Sequence, residues 1–133
     1  MSFNINKKSI SESTRLHLED PETGLKMYAD DAKTQPLEIS IYGKASKQYR
    51  QALSDLSRKA LARKNKTQSF ETNVEDNIDI LVAISIEAHN FTDDDAQINT
   101  PEAFRKLYRN NNLYWIKDQV QSALESDANF LAK

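Results

Sequence analysis

Histidine is the side chain best suited to moving protons near neutral pH, and this 133-residue chain has two, His17 and His89. His17 stands between Leu16 and Leu18 in an alternating stretch, so its ring points away from the apolar side. His89 closes the long apolar segment ending Glu87-Ala-His-Asn-Phe91, where a cationic ring would suit the negative end of a helix dipole. It reads as a cap or packing residue rather than a base, because no nucleophile motif accompanies it. Asp93, Asp94 and Asp95 invite a calcium ion, but an EF-hand loop needs Gly at its sixth position and Glu at its twelfth. Counted from Asp93, those positions are Ile98 and Phe104, so the run reads as a solvated acidic loop. Without cysteine there is no disulfide framework, thiolate metal site or Cys nucleophile. The two glycines, Gly24 and Gly43, belong to no phosphate-cradling motif. These residues describe a non-enzymatic protein with no catalytic, cofactor or metal site.

Binding remains, and charge is where it would be written. A net charge of −2 hides strong segregation. From Lys44 to Lys66 there are eight Lys or Arg and one acid, Asp55; from Thr67 to Thr100 there are eight acids and no Lys or Arg. Such blocks can neutralise each other within one fold or dock between copies of it. The second route would make the protein a homo-oligomer weakened by salt. Arg50, Arg58, Lys59, Arg63, Lys64 and Lys66 could also meet phosphates, with Tyr42 and Tyr49 stacking on bases. The acidic overall balance and the lack of any nucleic-acid-binding motif argue against that. Tyr114-Trp115 opens an amphipathic helix, but it carries acids and amides rather than a Lys-rich polar face, so membrane binding is not expected. A protein partner fits better, met by Arg50, Arg58, Lys59 and Arg63 together with Tyr108, Trp115 and Phe130.

The elements that must position these residues follow from periodicity. Residues 1–13 are polar and read as a flexible N-terminal arm. Arg15 to Glu19 alternates as a half-buried strand, Asp20-Pro-Glu-Thr-Gly24 is a turn with Gly24 at positive φ, and Leu25 to Ala29 is the expected return strand. Leu37, Ile39 and Ile41 alternate with polar residues in the clearest strand of the chain, which Gly43 ends. After Gly43 the period becomes helical: Ser46 caps a basic helix whose apolar stripe is Tyr49, Ala52, Leu53, Leu56, Ala60 and Leu61. Lys64 to Ser69 is a polar link. The segment from Thr72 to Phe91 is the most apolar of all, with Thr72 and Glu75 in capping-box spacing. It is read as the central helix of the core, extending to His89. Thr100-Pro101 starts a short helix carrying Phe104, Leu107 and Tyr108, Asn110 to Asn112 breaks it, and Ile116, Val120, Ala123, Leu124 and Leu131 keep helical spacing to the end.

The expected architecture is α+β: a small antiparallel N-terminal β-meander over 14–43, then about four helices over 44–131 packed around the central apolar helix. Residues 14–133 make one domain of ordinary size. Leu81, Val82 and Ile84 should meet Leu53, Leu56, Ile116, Val120 and Leu124 in the core. No signal-peptide pattern or membrane-spanning run is present, so the expected location is cytoplasmic.

In that order, the segments resemble those of the tail assembly chaperones of long-tailed bacteriophages and prophages. The resemblance runs through Leu18-Glu-Asp-Pro-Glu-Thr-Gly24, then Ile39-Ser-Ile-Tyr-Gly43 and Ser46-Lys-Gln-Tyr49. It continues with Glu87-Ala-His-Asn-Phe91, Phe104-Arg-Lys-Leu-Tyr108, Trp115-Ile-Lys-Asp-Gln-Val120 and Asn129-Phe-Leu131. Similar proteins often carry Trp where this chain has His89. The resemblance implies a non-enzymatic protein of the host cytoplasm. It would hold the aggregation-prone tape-measure protein until tail-tube subunits polymerise around it, and would be absent from the finished virion. The tape-measure protein is the implied partner, the tail-tube protein a second one, and self-association is common in the family. The rival readings are a structural tail or head–tail completion protein retained in the virion, and a small nucleic-acid-binding regulator.

Overall fold

The computed structural model describes residues 2–63 and 70–131. Its centre is an antiparallel sheet of three strands, β1 (Ser13–His17), β2 (Glu38–Tyr42) and β3 (Ser85–His89), in the order β1-β2-β3. The middle strand is the one with the clearest alternation. Ile39 and Ile41 are fully buried on one face, while Glu38, Ser40 and Tyr42 line the other. Four helices complete the α+β fold: α1 (Lys47–Ala62), α2 (Phe70–Ile84), α3 (Pro101–Arg109) and α4 (Tyr114–Glu125).

Local signals are realised as expected. Ser46 Oγ accepts a hydrogen bond from the Tyr49 amide at 3.1 Å, and Thr100 Oγ1 accepts from the Ala103 amide at 3.2 Å with Pro101 in the first turn. Asp20 accepts from the Glu22 and Thr23 amides, and Gly24 takes φ 75°, a conformation that costs glycine little. Gly43 matters for a different reason: a Cβ there would fall 2.5 Å from the buried Phe130 ring.

The third strand differs from expectation. Leu25 to Ala29 forms only isolated bridges, Lys26 with Glu19 and Tyr28 with Pro36. The place beside β2 is taken by Ser85–His89, expected as the last turns of the central helix. Ile84, Ile86 and Ala88 alternate as well as they spiral, and the open edge of β2 decides between the two by supplying backbone partners. No loop separates α2 from β3. Ser85 Oγ donates to the Leu81 carbonyl at 2.6 Å and lies 2.6 Å from the Tyr108 hydroxyl, which therefore donates to it. At its other end α2 begins at Phe70, so Thr72 lies within the helix rather than capping it. The link from Lys64 to Ser69 lies outside the described residues.

Leu81, Val82, Ile84, Ile116, Val120 and Leu124 are buried together as expected, joined by Ile39, Ile41, Ile98, Phe104 and Leu107. Leu53 is not: it is 39% exposed, and Leu56 is half-buried. α1 packs chiefly against α2, on the outside of the molecule, and buries only Ala52 fully. At the N-terminus, residues 2–9 are exposed, while Ile10 bridges Leu131 and the Ser11 amide donates to the Phe130 carbonyl. Among the described residues no helix is long and apolar enough to cross a membrane.

Candidate partner-binding surface

Helical spacing divides α1 into two faces. Tyr49, Ala52, Leu56, Lys59 and Arg63 form the inner stripe toward α2. Arg50, Leu53, Ser57 and Leu61 form the outer one, with Leu61 72% exposed. The lower half of the inner stripe is polar because the first turns of α2 present acids to it. Lys59 Nζ lies 2.8 Å from Asp79, and Arg63 holds Asp76 through two 2.8 Å contacts. From the other side, Arg105 also reaches Asp79, and Arg109 grips Glu75 at 2.7 and 3.0 Å. A planar guanidinium matched to a carboxylate by two parallel bonds is the strongest form of such a contact.

The acids respond as these partners require. Burial pushes the Asp79 carboxyl up, but Lys59 and Arg105 together outweigh it and hold it below its ordinary value. Hydrogen bonding to Arg109 lowers Glu75, against a smaller effect of burial. Two members of the basic block, Lys59 and Arg63, are therefore paired with Asp79 and Asp76 of the acidic block within one chain. Self-association through the same pairing would have to break these contacts first.

The sequence-predicted site residues scatter accordingly. Lys59 and Arg63 are committed to α2. Arg58 pairs with Asp55 on its own helix and remains 70% exposed, which marks a pair of little energetic weight. Arg50 has no ion-pair partner among the described residues, and neither have Lys44 and Lys47. Tyr108 and Phe130 are not surface residues: they are 3% and 2% exposed. Tyr108 turns inward because its ring packs 5.7 Å from Phe104 and its hydroxyl is bonded to Ser85. Phe130 fills the space above Gly43. Trp115 is half-buried against the core, and the exposed ring beside it is Tyr114. Among the exposed apolar side chains, Leu53 and Leu61 on the outer stripe of α1 are the ones flanked by Arg50 and Arg58.

The outer face of the sheet gathers a second set of polar groups. Ser40 Oγ lies 2.6 Å from His89 Nε2, and a Glu87 carboxylate oxygen lies 3.9 Å from Nδ1. Serine, histidine and carboxylate in this order are the ingredients of an activated nucleophile. Here the carboxylate stands beyond hydrogen-bond reach and is half exposed, so it does not fix the ring's tautomer as a triad requires. The Ser40–His89 bond instead ties β2 to β3, replacing the helix-capping role expected of His89. His17 is likewise structural, bonded to the Met27 carbonyl at 2.8 Å and edge-on to Tyr28. Among the described residues no cluster of three or more His, Cys, Asp or Glu could hold a metal ion.

Compared with protein-family models, curated proteins and solved structures, the chain matches none.

Proposed function

We propose that this chain is a non-catalytic phage tail assembly chaperone that binds helical segments of a tape-measure protein and keeps them soluble. The observation that carries the reading is the ordered series of segments from Leu18-Glu-Asp-Pro-Glu-Thr-Gly24 to Asn129-Phe-Leu131, which resembles that family along nearly the whole chain. The outer stripe of α1 is consistent with it. Leu53 and Leu61 lie two turns apart, a spacing that suits the apolar stripe of a partner helix, and Arg50 and Arg58 beside them favour carboxylates on its flanks. Covering a leucine fully contributes about 1.5–3 kcal/mol, so two half-covered ones give a weak, reversible grip. A holder that must later release its cargo to tube subunits needs such a grip.

Co-expression tests the proposal. The tape-measure protein should stay soluble with this chain and aggregate without it. Arg50→Glu combined with Arg58→Glu should reduce the rescue while leaving the thermal midpoint of the chaperone unchanged. Equal insolubility of the tape-measure protein with and without the wild-type chain would end the chaperone reading. Stoichiometric presence of the chain in purified tails would replace it with the structural one.

A further inference from the structure

The C-terminal end of the free edge of β1 borders a groove of about 470 Å³ whose opposite wall is the outer side of α4 and the turn after it. Leu16 and His17 line it from the strand, and Gln119, Ser122, Ala123 and Asn129 from the helical side. The hydrogen bonds at the ends of β1 fix which backbone groups face the free edge. The Gly43 amide donates to the Glu12 carbonyl and the Leu18 amide to the Leu37 carbonyl, both at the β2 side. In an antiparallel pair bonded residues alternate, so Thr14 and Leu16 also bond to β2. The amides and carbonyls of Ser13, Arg15 and His17 then point away from β2 along the free edge, where they have no backbone partner among the described residues.

Beyond both ends of this window the edge is closed. The Gln119 side chain bonds the Glu19 amide and carbonyl at 2.8 and 2.7 Å, as a strand would, and the Phe130 carbonyl accepts from Ser11. A row of peptide groups left open between two closed ends is complementary to one thing, another peptide backbone.

We propose that residues 13–17 are a β-addition site, which takes a short extended segment of a partner polypeptide as a fourth, antiparallel strand. The proposal is independent of the chaperone reading, which rests on α1 and a helical cargo. Cross-strand neighbours share a face, so the side chain opposite Arg15 lies on the open face of the sheet. Arg15 is 59% exposed there and its contact to Glu38 is a loose 3.4 Å, so a carboxylate is favoured in that place. Side chains opposite Thr14 and Leu16 lie on the other face, and beside Leu16 the groove wall of Ala123 and Ser122 accepts small branched residues such as Val or Thr. A second copy of β1 is disfavoured, because two-fold pairing centred on Arg15 would oppose two arginines.

The probe is the capped peptide Thr-Val-Glu-Val-Thr, titrated into the isotope-labelled full chain and followed by amide NMR. The amides of Ser13, Arg15 and His17 should shift and gain protection from solvent exchange, with those of Thr14 and Leu16 little changed. Arg15→Pro removes one outward-facing donor from an edge position that tolerates proline, and should weaken binding about tenfold beyond Arg15→Ala, the scale of a lost hydrogen bond. The same peptide N-methylated at its central Glu should bind as weakly to the wild-type chain, which keeps the test valid if Arg15→Pro does not fold. Shifts confined to α1, or equal binding of the methylated peptide, would overturn the site. A concentration-dependent doubling of mass, abolished by Arg15→Pro, would overturn the foreign segment in favour of a second copy.

Discussion

α1 and α3 pack on α2 from two sides, and they are held by different forces. The nine residues of α3 place Phe104, Leu107 and Tyr108 in the core. The sixteen of α1 bury only Ala52 fully and rely for the rest on half-buried Tyr49 and Leu56 and two ion pairs. Apolar burial is neither screened by salt nor titrated by pH, whereas ion pairs at a partly wet seam are subject to both. α3 is therefore part of the folding core, and α1 is a helix mounted on it. The acids of α2 serve both neighbours: Asp79 alone meets Lys59 of α1 and Arg105 of α3.

The largest effects should fall on the core side of this divide. Ile84→Asp places an unpaired charge at a fully buried position beside α3, and should cost several kcal/mol or prevent folding. Phe104→Ala removes a ring with no exposure and should cost about 3–5 kcal/mol, read as a drop in thermal midpoint. Gly43→Ala comes next. Its methyl group would press on Phe130, and the overpacking should cost about 1–3 kcal/mol. An unchanged melt of Phe104→Ala would erase the contrast between the two helices.

The seam between α1 and α2 should answer instead to pH. Asp79, which meets Lys59 of α1, is held below its ordinary value of 3.8. It binds a proton less readily folded than unfolded, so its contribution is present above the ordinary value and is lost as pH falls through the lowered one. Acid titration below about pH 4 should therefore loosen α1 before the core melts, visible as hydrogen exchange in residues 47–62. Asp79→Asn keeps the shape and removes the charge. It should cost about 1 kcal/mol at neutral pH and flatten the acid limb of the stability curve. Coincident exchange of α1 and α3 at low pH would show one cooperative unit.

How far all this could be read from the sequence depends on the range of the contact that decides it. Ser46, Thr100-Pro101 and the Asp20–Gly24 turn were legible because each is settled by bonds within a few residues. β3 was not, since Ser85–His89 fits helix and strand equally until β2 is placed beside it. The same holds for the candidate site. Lys59 and Arg63 look like free cations until α2 brings Asp79 and Asp76 against them, and Phe130 looks like an anchor until Gly43 gives it a place. The open edge of β1 left no trace in residue types, because its donors and acceptors are backbone.

The smallest expected effect on stability sharpens the comparison most. Leu53 and Leu61 belong to the apolar pattern of α1, yet they face outward, 39% and 72% exposed. If α1 is mounted on the core by its inner stripe alone, Leu53→Ser with Leu61→Ser should change unfolding free energy by no more than about 0.5 kcal/mol each, the range for surface substitutions. Serine also lowers helix propensity slightly, which sets the sign as weakly destabilising. The same double variant should lose the ability to keep the tape-measure protein soluble, because it removes the apolar part of the proposed grip and leaves every ion pair intact. A control at the inner stripe, Leu56→Ser, should do the reverse, loosening α1 while leaving the outer face chemically unchanged. Loss of stability without loss of rescue in the outer variant would place those leucines in the fold and the partner elsewhere.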